Sequence, residues 1–431
     1  MKTMYKSKHL DCWQKGKELR AEYWEDIWRA KERGKIVGLG LGTLSTSLIA
    51  GFPDCEFAEL ANYFAVVAND PSMAVRCTEA CGNRGYLIDI CHASQLVMGS
   101  MFLDEGPFGK FLKPDFCLQL HFCETQGKSS QVMSKYLGIP YFCIDVPLVR
   151  WGEGKDFHVN FLTSELLDFI EWMEKLTGKK CDDEMLIKGI QNEGETSVLW
   201  AKICELNKNI PAPLDLRALN ALCAPLVLGR HKKETVEFYR ILYDEVQDRV
   251  QNRIAQLATE RCRLLHEGVP PFYFLGFFRI VEKYGALFLG SGMDFGLGGA
   301  WEREPDGSWR TAKDIKGRGI ELKSKEDALS ALAEFWLSNP FFCGFLVSPK
   351  IEEMVKRAKD WRADGVVFHC DRGCQALPSG MPEMRLALQK EGIPSMIYEA
   401  SHGDPREMDE SRVISQLESF MEILGLNILE E

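Results

Sequence analysis

Short apolar segments with the pattern of buried strands alternate with amphipathic segments in two stretches of the chain. In the first stretch, strands are predicted at "KIVGLGLG", "DFCLQLHFC" (115–123) and "PYFCIDVP" (140–147), and helices at "CEFAELANYFAVVA" and "GKSSQVMSKYLG". From residue 261 the alternation returns, and it ends in an amphipathic helix beginning near Asp409. Because such alternation requires crossover connections, the pattern predicts an α/β protein with parallel sheets.

The middle of the chain has a different character. Residues 156–260 contain two long amphipathic stretches and no strand pattern of comparable strength. A chain of 431 residues is also too long for one core of ordinary size. We therefore predict an N-terminal helix at 1–34, a first α/β lobe at 35–155, a helical bridge at 156–260 and a second α/β lobe at 261–431.

Composition narrows the class of protein. The formal net charge of −11 disfavours nucleic acid, which requires clustered Lys and Arg. No apolar run reaches the length of about 18 residues that a membrane helix needs, and the charged N-terminal sequence does not resemble a secretory signal. We expect a cytoplasmic protein. In a reducing compartment its fifteen cysteines are small hydrophobes, metal ligands or redox thiols.

Several cysteines lie where predicted strands end. Cys123 ends "DFCLQLHFC", Cys370 and Cys374 follow "VVFH", and Cys91 and Cys343 lie in "LIDICHASQ" and "FFCGFLVSP". Ligands of open parallel sheets bind beyond the carboxyl ends of the strands. Iron–sulfur clusters need thiolates that converge from dispersed loops, and three thiolates leave one iron open. The spacing alone leaves two interpretations, a cluster or buried structural cysteines.

Two glycine-containing segments resemble nucleotide loops only superficially. In "GLGLGT" (38–43) the last glycine spacing differs from that of a dinucleotide-binding turn. In "GKSS" (127–130), Phe122 stands where a phosphate loop requires its first glycine. Neither segment predicts a nucleotide site in this chain.

Longer segments carry a family resemblance over nearly the whole chain. They are "IDICHASQLVMGSM", "PDFCLQLHFCETQGKSSQVMSKYLGIPYFCIDVP", "CRLLHEGVPPFY", "ADGVVFHCDRGCQ" and the tail "GIPSMIYEASHGDPREMDESRVISQLESFMEIL". The chain resembles the benzoyl-CoA reductase / 2-hydroxyacyl-CoA dehydratase family. The resemblance implies two flavodoxin-like lobes joined by helices and a [4Fe–4S] cluster on Cys91, Cys123 and Cys374. Cys370 would then be a spectator, and Cys343 is a further candidate ligand.

The branches of this family differ in their chemistry. Double-cubane reductases need six cysteines, some between positions 262 and 343, where this chain has none. The overall length, "ETVEFYRILYDEVQDR" and the extra Cys343 resemble the larger cluster subunit of ATP-dependent, ferredoxin-linked benzoyl-CoA reductase. We therefore expect an oxidoreductase subunit that dearomatises an aromatic acyl-CoA in anaerobic metabolism. The alternatives are a subunit of an (R)-2-hydroxyacyl-CoA dehydratase, acting through a ketyl radical, and a non-catalytic electron relay.

The resemblance also implies partners. An ATP-hydrolysing iron–sulfur activator supplies low-potential electrons, so that ATP binds only to that separate protein, and a related second cluster subunit completes the site. Backbone N–H groups near Gly127 and Gly373 are expected to donate to the cluster sulfurs. His121 and Glu124, which flank Cys123, are candidate proton donors; alternatively His121 is a satisfied core residue and Glu124 caps a helix.

Overall fold

The N-terminal helix is followed by a turn that ends on a glycine. The structure, a computed structural model, describes residues 4–42, 46–86, 89–121, 123–150, 153, 156–340, 346–374 and 376–430. After a short strand β1 (Lys6–Ser7), helix α1 (Trp13–Trp28) leads into a 3₁₀ turn at Lys31–Arg33. Gly34 ends this turn with φ of 71°, a left-handed conformation that glycine adopts without strain.

Four parallel strands form a first sheet in the N-terminal half. The elements of this half are β2 (Ile36–Gly40), β3 (Cys55–Glu59), α2 (Leu60–Ala68), α3 (Pro71–Gly82), α4 (His92–Leu103), β4 (Phe116–His121), α5 (Glu124–Leu137) and β5 (Tyr141–Asp145). The spatial order is β3-β2-β4-β5, and all three pairings are parallel. The predicted strands at 115–123 and 140–147 are confirmed.

One predicted helix is partly wrong. "CEFAELANYFAVVA" begins with strand β3, and helix α2 starts only at Leu60. Glu59 makes the junction, because its carboxylate accepts a hydrogen bond from the N–H of Ala61 at 2.9 Å and so caps the helix. No glycine or proline separates the two elements, which is why the pattern of apolar residues did not indicate the boundary.

Helices dominate the middle of the chain, as predicted. They are α6 (Asp156–Thr177), α7 (Asp183–Leu206), α8 (Leu216–Leu222), α9 (Ala224–Gly229) and α10 (Lys233–Gln251). Helices α7 and α10 pack against each other. A short strand β6 (Ile254–Ala255) follows and pairs in parallel with β1, which ties the start of the chain to the end of this segment.

A second parallel sheet occupies the C-terminal half. Its elements are β7 (Cys262–Glu267), a 3₁₀ helix (Phe272–Tyr284), β8 (Ala286–Ser291), α11 (Gly292–Gly298), a hairpin of β9 (Trp301–Arg303) and β10 (Trp309–Thr311), α12 (Lys325–Ser338), α13 (Val347–Asp360), β11 (Gly365–Asp371), α14 (Met381–Lys390), β12 (Ser395–Ala400) and α15 (Glu410–Ile423). The spatial order is β12-β11-β7-β8, again parallel throughout. The final helix begins after Asp409, the predicted N-cap.

The two sheets share one apolar core. Leu39 of β2 and Cys117 of β4 belong to the same buried cluster as Leu265 of β7 and Phe368 of β11. The protein is therefore an α/β protein with two parallel sheets held together through a common interior. Among the described residues, every helix is too short or too polar to cross a membrane.

Candidate functional site

A large cavity lies where the carboxyl ends of both sheets meet. Its volume is about 1280 Å³. Gly42 after β2 and Cys123 after β4 line it from the first sheet, and Val269 after β7 and Cys374 after β11 line it from the second. This is the edge at which parallel sheets bind ligands. Cys91 also lines the cavity, so the three cysteines implied by the family resemblance share one space.

Cys91 precedes helix α4 as its N-cap residue. The backbone N–H of Ser94 and the imidazole of His402 lie close to its sulfur, and Nε2 of His402 is 2.7 Å from the backbone nitrogen of Ala93. Burial raises the pKa of the Cys91 thiol, but the proximity and positive charge of His402 outweigh burial and leave the pKa below its ordinary value. In the sequence, a cysteine in front of a buried helix does not by itself indicate a metal ligand.

Cys123 occupies the equivalent position before helix α5. The backbone N–H groups of Thr125 and Gln126 point at its sulfur. Burial nevertheless raises the pKa of this thiol, and the negative charge of a nearby Cys91 thiolate raises it further. Helix α5 starts at Glu124, so "GKSS" lies inside the helix and does not open it.

Cys374 lies in the turn that follows β11. The N–H of Leu377 is 3.5 Å from its sulfur, and the N–H of Ala376 also points at it. Lys350 of α13 is buried beside this turn, and its ammonium group donates to the carbonyl oxygens of Leu377 and Ser379. This contact fixes the backbone that carries Cys374.

Cys370 lies outside the cavity's lining residues. It is a residue of β11, paired in register with Glu399 of β12, and it is half-buried against the core. Cys223 does line the cavity, but burial raises the pKa of its thiol to about 12. Cys343 falls outside the described residues.

The Cys91 thiol acts electrostatically on Cys123 and Cys374. A charge on Cys91 raises the pKa of both Cys123 and Cys374, although burial is the larger cause in each case. Thiolates in such proximity repel one another unless a cation offsets their charge. The arrangement is suited to a positively charged inorganic centre, because thiolates are the ligands that iron–sulfur clusters use.

A buried histidine–aspartate pair supports Cys91 from the second sheet. Nδ1 of His402 contacts a carboxylate oxygen of Asp371 at the end of β11. Burial alone would raise the pKa of Asp371, but the charge of His402 lowers it to about 2. Burial would lower the pKa of His402, but Asp371 and Cys91 raise it to about 10. His402 thus links the two halves of the chain at the site.

A second histidine belongs to the same network. Nδ1 of His92 lies 2.9 Å from the hydroxyl of Ser401, and Nε2 lies 3.7 Å from a carboxylate oxygen of Glu407. Burial, and then the positive charge of His402, lower the pKa of His92 to about 4. His92 therefore stays neutral near pH 7 and positions the loop of Ser401 and His402.

The two candidate proton donors lie toward the outside. His121 bonds Asp145 through Nδ1 at 2.7 Å and approaches Glu124 through Nε2 at 3.4 Å. The hydrogen bond that His121 donates to the carboxylate of Asp145 raises the pKa of His121. Glu124 is 95% exposed at the rim of the cavity, whereas His121 is absent from the cavity's described lining. Their role as proton donors stays a prediction.

The N–H groups of Gly127 and Gly373 themselves bond to oxygen, whereas N–H groups close to them in the chain point at sulfur. The N–H of Gly127 donates to the carbonyl of Cys123 at 3.1 Å, and the N–H of Gly373 donates to the carboxylate of Asp371 at 3.1 Å. The donors that point at sulfur are those of the residues two to three positions after each cysteine, as the first turn of a helix or a tight turn dictates. Sequence reasoning also missed Gln126, Lys350 and Asp371.

Comparison with known proteins identifies the family. The sequence model of the family described as 2-hydroxyglutaryl-CoA dehydratase, D-component, matches residues 72–424. The chain is similar to the (R)-2-hydroxyisocaproyl-CoA dehydratase alpha subunit of Clostridioides difficile, with 23% identity over 94% of each chain.

Two further relatives carry the same kind of name. The alpha subunit of (R)-2-hydroxyglutaryl-CoA dehydratase from Acidaminococcus fermentans is 24% identical over 73% of this chain and 61% of its own length. The (R)-phenyllactyl-CoA dehydratase alpha subunit of Clostridium sporogenes is 21% identical over 92% of this chain and 91% of its own. These names favour the dehydratase alternative over the expected aromatic reductase. The chain is an enzyme subunit that belongs to the 2-hydroxyglutaryl-CoA dehydratase D-component family.

Proposed function

We propose that this chain is a subunit of an (R)-2-hydroxyacyl-CoA dehydratase, which removes water from a 2-hydroxyacyl thioester. The observation that carries the proposal is the similarity to dehydratase alpha subunits over almost the full length of the chain. The large cavity at the carboxyl edges of both sheets supports it, because an acyl-CoA thioester needs an extended site.

The cavity thiols fit the cofactor that the family resemblance implies. Cys91, Cys123 and Cys374 would hold a [4Fe–4S] cluster, which when bound supplies one-electron chemistry at low potential. Three observations support this ligand set: the sulfurs share one cavity, that of Cys91 acts electrostatically on the other two, and each receives backbone N–H groups. Hydrogen bonds to sulfur are one of the means by which proteins set a cluster's potential.

The residues of this chain have definable roles in such a site. The helix N-termini after Cys91 and Cys123 stabilise negative charge on those sulfurs. His402, held by Asp371, orients Cys91, and Lys350 fixes the turn of Cys374. Apolar side chains such as Phe64, Leu275 and Met293 line the cavity and limit the access of water to a reactive intermediate.

The wider architecture follows from the same assignment. Each sheet has the strand order 2-1-3-4 when its strands are numbered along the chain, which supports two flavodoxin-like lobes with boundaries near 35–155 and 261–431. The relatives are named as alpha subunits, which supports a related second subunit in the complex. A separate ATP-hydrolysing activator that supplies electrons completes the proposed system.

Turnover tests the proposal directly. The chain is purified anaerobically with its partner subunit and mixed with an activator, ATP and a strong reductant. Four thioesters are then supplied separately: 2-hydroxyisocaproyl-CoA, 2-hydroxyglutaryl-CoA, phenyllactyl-CoA and benzoyl-CoA. We expect loss of water from at least one 2-hydroxyacyl thioester and no reduction of benzoyl-CoA. Reduction of benzoyl-CoA without any dehydration would instead establish the aromatic reductase.

The same preparation addresses the electron-relay alternative. A catalytic subunit should bind the thioester, so that adding a 2-hydroxyacyl-CoA changes the absorption or electron paramagnetic resonance spectrum of its iron. Selective isotope labelling of the iron in one subunit separates the signal of this chain from that of its partner subunit. If the signal of this chain's iron stays unchanged with every thioester, the result would support a relay role.

A further inference from the structure

The cavity wall carries the side chain of Gln126, which has a buried oxygen without a partner among the described residues. Gln126 lies three residues after Cys123, in the first turn of α5, and lines the same cavity as the three thiols. Its Oε1 atom is buried without a hydrogen bond. Buried amide groups are nearly always hydrogen-bonded in folded proteins, so this exception calls for a ligand.

The position of the amide is fixed by its surroundings. The backbone N–H of Gln126 points at the sulfur of Cys123, which sets the start of the side chain close to that thiol. On the other side, Gly42 adopts φ of 73°, and a Cβ atom there would lie 2.8 Å from Nε2 of Gln126. A side chain at position 42 would therefore displace the amide. The glycine leaves room for the amide at the cavity wall.

The chemistry of an amide matches one part of the proposed substrate. A carboxamide offers an acceptor oxygen and a donor nitrogen side by side. A 2-hydroxyacyl thioester offers a donor hydroxyl and an acceptor carbonyl on neighbouring carbons. We propose that the Gln126 amide recognises the 2-hydroxyl group of the substrate and positions it beside the cavity thiols, accepting from the hydroxyl through Oε1 and donating to the thioester carbonyl through Nε2.

This assignment makes Gln126 a specificity-determining residue and rests on the proposed function. A site built to hydrogen-bond a substrate hydroxyl discriminates against the analogue that lacks it, because the site's own polar group is then left unpaired. The product of dehydration, which has lost the hydroxyl, is subject to the same discrimination. Gln126 would therefore also favour product release.

Equilibrium binding without the activator tests the inference without turnover. Dissociation constants are measured for 2-hydroxyisocaproyl-CoA and for isocaproyl-CoA, which lacks the hydroxyl, on the anaerobic complex of the chain with its partner subunit. We expect the wild-type complex to bind the hydroxy compound at least roughly tenfold more tightly. In Gln126→Met, which keeps the length of the side chain, the ratio should fall below about threefold while iron and sulfide contents stay unchanged.

The matched control is Gln131→Met on the same helix. Gln131 is exposed and accepts a hydrogen bond from Lys128, away from the cavity, so the binding ratio should stay at the wild-type value. A wild-type complex that binds both thioesters equally would overturn the inference, whatever the variants do. So would loss of iron in Gln126→Met, because the amide would then serve the metal site. Failure of the wild-type enzyme to dehydrate any 2-hydroxyacyl-CoA is a separate result that refutes the proposed function itself.

Discussion

At the scale of single residues, Cys370 and Cys374 show how the end of a strand places two neighbouring thiols in different environments. Cys370 is held inside the sheet by its register with β12, whereas the turn after Asp371 carries Cys374 into the cavity. The apolar run before both residues predicted the strand end correctly. It did not predict which thiol faces the cavity, because that depends on where the strand's last hydrogen bond falls. The family resemblance supplied that choice.

Substitution of each thiol in turn tests the assignment. Cys374→Ser should lose most of the cluster iron, since an alkoxide is a poor replacement for a thiolate ligand, while Cys370→Ser should keep iron and sulfide near four atoms each per chain. Metal analysis of anaerobically purified protein measures both. Retention of iron in Cys374→Ser with its loss in Cys370→Ser would show that the other member of the pair is the ligand.

The residues that contact the thiols of the candidate site could not be predicted from the sequence. His402 contacts Cys91 across more than 300 positions, and Lys350 holds a turn that begins 24 residues further along the chain. No periodicity or spacing rule connects residues so far apart. Gln126 was equally hidden, because a glutamine in a helix is usually a solvated side chain.

At the scale of elements, the close approach of α3 and α4 positions Cys91. Gly99 of α4 faces the backbone of Cys77 in α3, where a Cβ atom would lie 2.2 Å from the carbonyl oxygen. The helices can come this close only because position 99 has no side chain. Since Cys91 is the N-cap of α4, this contact also sets the depth at which its sulfur enters the cavity.

Replacing Gly99 tests this close contact. Gly99→Ala should destabilise the protein by about 1–3 kcal/mol, because backbone atoms must move to admit a methyl group. The matched control is Gly82→Ala at the end of α3, where nothing lies within 4 Å, and a gain of up to about 1 kcal/mol is expected from the better helix propensity of alanine. Urea unfolding followed by circular dichroism compares the two. Equal midpoints for both variants would contradict the packing argument.

Element positions were largely predictable where apolar runs end at clear stop residues. Strands β4 and β5 and the final helix α15 lie where the patterns placed them, and the alternation predicted from residue 261 is present. The failures have local causes. Strand β3 runs into α2 without a turn residue, and helix α5 starts at Glu124, ahead of the predicted "GKSSQVMSKYLG".

At the scale of the whole molecule, the site belongs to both halves of the chain. Cys91 and Cys123 come from the first half and Cys374 from the second. The parallel sheets followed from the alternation of strands and helices, and with them the edge at which ligands bind. How the two sheets face each other did not follow, because that geometry is set by side chains of a shared core that are distant in sequence.

The proposed cluster, with ligands from both halves of the chain, should hold those halves together. Removal of iron with a chelator should lower the midpoint of thermal unfolding by about 5 °C or more, because a metal present at 1,000 times its dissociation constant adds about 4 kcal/mol. Differential scanning fluorimetry under anoxia measures the shift. The chelator should have no further effect on Cys374→Ser and the full effect on Cys370→Ser. An unchanged midpoint in treated wild-type protein would mean that the ligands do not join the two halves.

Because most of the other cysteines are buried, the thiols of this chain should differ in their reactivity toward alkylating reagents. Burial raises the pKa of Cys77, Cys81 and Cys117 to about 12, which leaves them as unreactive thiols at neutral pH. Cys91, with its lowered pKa, is open to the cavity. Among the cysteines that the structure describes, alkylation of the folded protein should thus begin at Cys91, and identifying the labelled peptide by mass spectrometry reports whether that thiol is free.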